Sequence, residues 1–303
     1  MAPDADVTVH QVDSALGRWT HTAWRPAHLA DVVEGLWHFE GRVTLLRERT
    51  FPGGHVELIV HLGPRYRAVD DAGVAADPFP HACISGVQTA PLVVEAPPTP
   101  SCVLGLRLRP VGAYALLGCP LSELTDGTVD LAALLGREAD ELAARCHDAP
   151  TAPARLALAA GWVAARLARR GRATARRGAP HPAVAWTAAQ LEQAHGCASV
   201  TRLREAAGLG RTRFADAFRA QVGLGPKRYA RVLRFRRALT LLQAGAAAGG
   251  RAPGAPLSAL ALAAGYYDQA HLDADFREFA GMTPTAYARA IRYHQAPSLA
   301  EPA

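Results

Sequence analysis

The sequence predicts an α+β protein: a β-rich N-terminal domain with trailing helices, then an all-α domain of two helix-turn-helix units joined by a long helix. Three observations predict this arrangement. Short apolar runs broken by Gly and Pro dominate the first part, a helical period replaces them from residue 112, and a segment near the end occurs twice. We expect the β-rich domain at 20–154, a basic linker helix and linker at 155–180, and the all-α domain at 181–294.

The predicted strands follow the first 20 residues, which are polar, have no hydrophobic period and are expected to form a loose end. Each strand is a short run of apolar and β-branched residues between turn-forming residues. Together they indicate a sheet or a small barrel. The runs are at 32–39, 55–62, 66–69, 83–88, 91–95 and 102–108.

The helices that follow are separated by Gly and Pro. They are predicted at 113–117, 131–135, 138–146 and 153–170. Residues 166–177 then hold six arginines in twelve positions. Two interpretations are open for this segment: a basic arm that touches phosphates, and, favoured, a solvated helix end that continues into a linker.

The repeat near the C-terminus has an offset of 58 residues, as between Phe218 and Phe276. Upstream, an Ala-Ala-Gly triplet ends at Gly208 and recurs at Gly265, an offset of 57, so the second copy has one extra residue in its turn. The other identities are Arg219 with Arg277, Gly223 with Gly281, Pro226 with Pro284, Tyr229 with Tyr287, Ala230 with Ala288 and Arg231 with Arg289.

Each copy predicts two short helices joined by a tight turn, the sequence form of a helix-turn-helix unit. Ser199 and Asp268 are predicted N-caps, and Gly208 is predicted to end a helix in the left-handed conformation. A joining helix is predicted at 226–243, with a Gly/Ala/Pro-rich loop to residue 256. The inward faces of the second helices are predicted to hold Phe214, Ala217, Phe218, Val222, Leu272, Phe276 and Phe279.

This part of the chain resembles the AraC/XylS family of transcription regulators. The similarity covers about residues 181–294, and its most specific segment is Ala261-x-x-x-Gly265-Tyr266-x-Asp268-Gln269-x-x-Leu272-x-x-x-Phe276-Arg277. The resemblance implies a sequence-specific regulator that binds double-stranded DNA with two recognition helices, about one DNA turn apart. It implies no cofactor, metal or catalytic residue, and it allows a small-molecule effector, a homodimer and a contact with RNA polymerase.

The resemblance also places the DNA contacts. Gln269 is the best candidate for a base contact, because an amide pairs bidentately with adenine. Asp216 can accept from cytosine but repels phosphates. Arg204 stands where the family usually has a small residue such as Ala261, so its guanidinium must reach solvent or the first unit must open. The predicted contacts are Arg211, Thr212, Arg213, Ala215, Asp216, Arg219, Lys227, Arg228, Arg231, Gln269, Ala270, Asp273, Ala274 and Arg277.

The N-terminal half is similar to a domain found in one group of AraC-like regulators. The similarity lies in Pro52-Gly53-Gly54-x-x-Glu57-Leu58-Ile59 and in Arg107-x-Arg109-Pro110-x-Gly112-Ala113. In other family members the corresponding domain binds an effector or dimerises. The resemblance supplies no function for this type of domain.

Charge is divided unevenly along the chain. Residues 1–154 carry 11 Arg and 19 acidic residues, a net −8, whereas residues 155–303 carry 22 basic and 8 acidic residues, a net +14. A basic domain of this kind attracts polyanions such as DNA. The five scattered cysteines form no Cys-x-x-Cys pair, and no run reaches the ~18 apolar residues of a membrane span. We therefore expect a soluble cytoplasmic protein with no membrane partner.

The alternative hypothesis is a ligand-binding or metal-dependent barrel enzyme that carries the basic domain as a tether. His55, Glu57 and His61 share one strand face. However, the two histidines would lie about 20 Å apart, too far to bind one ion, so at most His55 and Glu57 could share an ion with a third ligand such as His38 or His81. The common catalytic motifs are missing. We therefore expect no enzyme activity.

Overall fold

The computed structural model describes residues 7–44, 47–173, 179–247 and 256–293. Its first part is built mainly of strands, as predicted. Each predicted strand is present to within a few residues. The strands are β1 (Val7–Ser14), β2 (Gly17–Trp24), β3 (Val33–Val43), β4 (Arg47–Thr50), β5 (Val56–His61), β6 (Arg67–Val69), β7 (Ala75–Pro78), β8 (Ala82–Ser85), β9 (Leu92–Glu95), β10 (Ser101–Leu108) and β11 (Thr128–Asp130).

These strands form two antiparallel sheets. The larger has the order β1-β2-β3-β10-β5-β8-β11, and the smaller has the order β4-β9-β6-β7. In strand β5 the two faces of the larger sheet have different neighbours. Val56, Leu58 and Val60 are fully buried on one face, where α3 (Arg137–Asp148) packs. Glu57 and Ile59, on the opposite face, line a large cavity.

The polar N-terminal end is not loose over residues 7–20, so that expectation is wrong. Strands β1 and β2 form a hairpin, and β2 continues the sheet by pairing with β3. Most β1 side chains are exposed because it is an edge strand, so its sequence carries no core pattern. Its position depends instead on backbone hydrogen bonds to β2.

The helices complete both domains. The remaining ones are α1 (Pro110–Leu117), α2 (Leu131–Leu135), α4 (Ala152–Ala173), α5 (Pro182–Gln193), α6 (Val200–Ala206), α7 (Arg211–Val222), α8 (Pro226–Ala247), α9 (Leu257–Ala263), α10 (Gln269–Ala280) and α11 (Pro284–Tyr293). None of the helices in the described ranges is long and apolar enough to cross a membrane.

Helix α4 matches the helix predicted at 153–170 and occupies most of the segment 155–180, which was expected to be a basic linker helix and linker. Leu156 and Val163 are fully buried, so this helix belongs to the N-terminal core. Arg166 donates to the Leu116 carbonyl at 2.7 Å, Arg170 donates to the Ala115 carbonyl at 2.8 Å, and Arg169 pairs with Glu138. These arginines hold α4 on α1 and α3, so neither a phosphate-binding arm nor a solvated helix end describes them. Residues 174–178 of the expected linker lie outside the described residues.

The two domains share one continuous hydrophobic core. Helix α7 packs on α1 and on the 3-10 turn Leu121–Glu123, where Thr125 donates to the Gly223 carbonyl at 2.9 Å. On the other side, the rings of Phe51 and Tyr287 meet edge to face at 5.4 Å between centroids. Both helix-turn-helix units therefore contact the β-rich domain.

Candidate nucleic-acid interface and ligand cavity

The first helix-turn-helix unit consists of α6 and α7. The Ser199 hydroxyl accepts from the Arg202 amide at 3.4 Å, and Gly208 has φ +68°, as predicted for a cap and a left-handed turn. Phe214 and Phe218 are buried on the inner face of α7. No residue of α6 is buried, so this helix packs loosely against the rest of the unit.

The second unit, formed by α9 and α10, is packed more tightly. Asp268 accepts from the His271 amide at 2.9 Å, which confirms the predicted cap. Gly265 has φ +86°, and a Cβ there would lie 2.1 Å from the Cys197 sulfur. The turn therefore requires glycine for its conformation and for a close approach. Ala261, Leu272, Phe276 and Phe279 are fully buried in this unit.

Helix α8 lies between the two units in the chain. Its 22 residues give it a length of about 33 Å, close to one turn of B-DNA. The repeated tyrosines Tyr229 and Tyr287 are both buried but have different partners. Tyr229 donates to Glu192 at 2.8 Å, whereas the Tyr287 hydroxyl accepts from Gln243 at 2.9 Å.

Most of the predicted DNA contacts lie on the outward faces of α7, α10 and the start of α8. Gln269 and Asp273 are half-buried at the start of α10, and Ala215 is half-buried on α7. Among the described residues, Asp273 has one buried carboxylate oxygen without a hydrogen-bond partner. The exposed residues are Arg211, Thr212, Arg213, Asp216, Arg219, Lys227, Arg228, Ala270, Ala274 and Arg277.

Two of the predicted contacts have acidic partners on α10: Arg228 pairs with Glu278 at 3.3 Å, and Arg231 is engaged more extensively. It donates to Asp275 at 2.6 and 3.0 Å, pairs with Glu278, and lies 5.1 Å from the centre of the Phe279 ring. Arg231 therefore joins α8 to α10, and a phosphate contact would compete with these carboxylates. Sequence spacing placed it correctly on α8 but could not show the acidic partners on α10.

Arg204 reaches solvent, which is one of the two arrangements that the sequence allowed. Its side chain is 28% exposed and pairs with Glu205 at 3.0 Å. No buried unpaired guanidinium is therefore present at this position. Since α6 buries no residue, the first unit is also open at this point.

A cavity of about 1290 Å³ lies between the two sheets and extends to the C-terminal domain. Its inner walls are aromatic side chains and a few polar groups, and α5, α8 and α11 close one side. The aromatic residues are Trp19, His21, Trp37, Phe39, Tyr66 and Phe79, and the groups from the closing helices include Glu192, Arg236, Leu239, Gln243 and Tyr287. A volume of this size accommodates a small organic molecule.

Polar groups inside the cavity come from both sheets. Glu57 accepts from Trp37 Nε1 at 3.0 Å and lies 3.6 Å from Arg107 Nε. Burial, followed by the charge of Glu57, raises the pKa of Glu48 to about 7. Burial also lowers the pKa of His55. The sequence signal for these groups is weak, because Glu57 and Arg107 are single charged residues in the apolar strands β5 and β10, and Glu48 lies in the polar strand β4.

Buried charges also join the domains at the edge of the cavity. Arg236 of α8 donates to both Glu34 oxygens and to the Gly53 carbonyl, and Arg109 pairs with Glu192 of α5. We call these residues, Glu34, Gly53, Arg109, Glu192 and Arg236, the interdomain cluster. Although burial alone would raise the pKa of Glu34, the charges of Arg236, His55 and Arg109 outweigh burial and lower it to about 2.

One group of metal-ligand type occurs in the described ranges. The ligand atoms of His38, Glu40 and Cys102 lie within 4.8 Å of one another, on the sheet face opposite the cavity. Arg155 occupies this position: it donates to His38 Nε2 at 2.9 Å and to the Cys102 sulfur at 3.3 Å. A guanidinium therefore holds the place that a metal ion would need. All five cysteines are free thiols.

Two family models match the chain. Residues 203–290 match a helix-turn-helix domain, and residues 25–130 match a domain of unknown function, DUF6597. There is no match among curated proteins. The predicted AraC-type helix-turn-helix domain is confirmed by the first match.

Several solved structures are similar over most of the chain. ToxT from Vibrio cholerae O395 has 8% identity and a TM-score of 0.42, over 80% of this chain and 95% of that one. Unsaturated fatty acid bound wild-type ToxT from Vibrio cholerae strain SCE256 has 7% identity and a TM-score of 0.44, over 80% and 92%. The AraC-like transcriptional activator CuxR has 15% identity and a TM-score of 0.31, over 78% and 86%.

Proposed function

We propose that this chain, with its AraC-type helix-turn-helix domain, is a transcription regulator in which a small molecule in the N-terminal cavity controls DNA binding. It binds double-stranded DNA in the cytoplasm through α7 and α10. The observation that carries the proposal is that α8 both joins the two DNA-binding units and closes the cavity. A molecule in the cavity would therefore touch the element that sets the spacing of the recognition helices.

The DNA contacts divide by chemistry. Gln269, at the first turn of α10, is assigned to a base edge, because its amide can donate and accept in the major groove. Exposed cations hold the phosphates and give affinity without sequence preference. Ala215, Ala270 and Ala274 offer only small apolar contacts, such as to a thymine methyl. The phosphate-binding set is Arg211, Arg213, Arg219, Lys227, Arg228 and Arg277.

The two units are proposed to contribute unequally. The second unit is anchored by Arg231 on Asp275 and by a closely packed turn at Gly265. The first unit has an unburied α6 and presents Asp216, which repels phosphates. We therefore assign sequence recognition mainly to α10 and electrostatic attraction mainly to α7.

The interdomain cluster is the proposed coupling element. Glu34, Gly53 and Arg109 belong to the β-rich domain, whereas Glu192 and Arg236 belong to α5 and α8. A molecule that enters beside Arg236 changes the contacts available to this cluster and so shifts the population of arrangements of α8. The proposal gives the chain no catalytic step.

The experiment is selection of bound fragments from a random duplex pool by the full chain. The expected result is a defined site whose affinity falls steeply with salt, by about 0.9 log units per phosphate contact per log unit of salt. Two half-sites in the selected sequence would extend the proposal to a homodimer. Recovery of no common site would contradict sequence-specific recognition. Transcription from the selected site with purified RNA polymerase then tests a contact with that enzyme.

A further inference from the structure

The charged groups inside the cavity indicate which class of molecule it binds. The cavity extends from the β-sandwich to α8, but its interior between the sheets is chemically distinct from its edge. At the edge, Arg109 and Arg236 are paired with Glu34 and Glu192. Inside, two carboxylates face an aromatic space, Glu48 from β4 of the smaller sheet and Glu57 from β5 of the larger sheet.

The two carboxylates differ in their partners. Glu57 has Arg107 as its cross-strand neighbour on β10 and also accepts from Trp37. Glu48 has an Oε1 atom that is buried and without a hydrogen-bond partner in the described part of the chain. A buried acceptor left in this state costs free energy, so a ligand that donates to it gains binding energy. The Glu48 carboxylate thus indicates that the ligand carries a hydrogen-bond donor.

The charge balance shows that this donor is a cation. Glu57 and Tyr66 are the titratable neighbours of Glu48, whereas Arg107 and His55 are neighbours of Glu57. Because Arg47 pairs with Glu95 and Arg49 donates to the Ala280 carbonyl, a cationic ligand would offset the charge of an ionised Glu48. The aromatic rings around it favour a cation as well, because a cation is attracted to their faces. Trp19 Nε1, a buried donor without a partner, is neutral and does not alter this balance.

We propose that the cavity binds an organic cation with an apolar or aromatic body, whose ammonium group donates to Glu48 between the two sheets. This inference rests on the proposed function, since it names the effector class of the same cavity. The apolar body would lie among Trp19, Phe39 and Phe79, and would extend toward Leu239 of α8. Binding converts Glu48 to its ionised form and releases a proton when the medium is below neutral pH.

The test compares three probes with the same ring and different head groups on the full chain: naphthylmethylamine, naphthylmethanol and naphthoate. Calorimetry at pH 8 should give at least tenfold tighter binding for the amine than for either other probe. The affinity of the amine, which stays protonated, should fall roughly tenfold from pH 8 to pH 6 as Glu48 takes up its proton. Tighter binding of the naphthoate, or equal binding of all three, would overturn the proposal.

Two variants test whether Glu48 forms the binding site for the amine. Glu48→Gln should lose at least tenfold in affinity for the amine and should lose the pH dependence. Glu95→Gln removes a partly exposed carboxylate on β9, which pairs with Arg47 and is not part of the cavity lining, and should bind as the wild type does. Equal loss in both variants, or no loss in Glu48→Gln, would contradict the assignment of Glu48.

DNA binding by the same samples separates this inference from the proposed function. If the chain binds DNA specifically but prefers naphthoate, the proposed regulator function stands and the proposal of a cationic ligand is wrong. If the amine binds at Glu48 but the chain binds no DNA specifically, the proposal of a cationic ligand stands and the proposed regulator function is wrong. If none of the three probes binds, the ligand class is wrong, whatever the DNA result.

Discussion

Glu34 of β3 and Arg236 of α8, 202 positions apart in sequence, are joined by two hydrogen bonds of 2.9 and 3.2 Å. Both side chains are largely buried, at 16% and 21% exposure. The pair links the cavity wall to the helix between the DNA-binding units. Breaking this pair should therefore affect the stability of the protein, the cavity wall and DNA binding.

Glu34→Gln should destabilise the protein by about 2 to 4 kcal/mol at pH 7, because it leaves Arg236 and Arg109 with less counter-charge. The pKa of Glu34 is lowered to about 2. The stability from its ionised form is therefore complete above its ordinary pKa, 4.5, and is lost as the pH falls toward 2. Urea unfolding at pH 7 and pH 3 should show the difference from wild type shrinking at pH 3. Glu40→Gln, at an exposed position of the same strand, is the control.

Glu48→Gln should have the opposite effect in the empty protein. The pKa of Glu48 is raised to about 7, so the folded state binds a proton that the unfolded state releases above its ordinary value of 4.5. Stability from this group therefore falls as the pH rises from 4.5 to 7 and stays low above that. Thermal unfolding should show Glu48→Gln more stable than wild type by about 2 to 3 kcal/mol at pH 8. A similar gain at pH 4.5 would show that ionisation is not the cause.

Gln269→Ala should relax base preference at one position and cost about 1 to 3 kcal/mol on the selected site. Lost pairing to one base should not change binding to unrelated duplexes. Competition titrations with single-base variants of the site would measure both quantities. A uniform loss on all sequences would assign Gln269 to the surface instead of the base edge.

Arg231→Ala and Lys227→Ala should affect different properties of the protein. Loss of Arg231 leaves Asp275 buried without its cation, so the protein should be destabilised by about 2 kcal/mol. Lys227 is exposed, and its loss should weaken binding to all duplexes and reduce the salt slope by about 0.9. Thermal unfolding and salt titration of both variants distinguish the two roles. If Arg231→Ala unfolds like the wild type, Arg231 would again be assigned to the phosphate contacts.

Asp216→Arg should strengthen binding to any duplex, because it replaces a repulsion from phosphate by an attraction. The carboxylate is exposed on α7, so the change should leave the fold intact. Preference for the selected site should remain if α10 carries the recognition. Loss of that preference would instead make Asp216 a base contact, and the ranking of the two units would be reversed.

The sequence identified the features that depend on local pattern. The caps at Ser199 and Asp268 and the left-handed Gly208 were predictable because capping and turn conformation involve residues a few positions apart. The inward Phe214, Phe218 and Phe276 followed from helical periodicity. Strand β1 was missed because its hydrogen bonds to β2 leave no hydrophobic pattern in an exposed edge strand.

The C-terminal repeat by itself determined that the chain has a double helix-turn-helix domain and which helix faces are exposed. Only the tertiary structure decided which charged groups are available. Arg231 is bound to Asp275, 44 positions away, whereas one carboxylate oxygen of Glu48 finds no hydrogen-bond partner among the described residues, in a cavity between two sheets. The physical reason is that the energy of a charge depends on its burial and on its neighbours in space. Those neighbours are set by packing between distant segments.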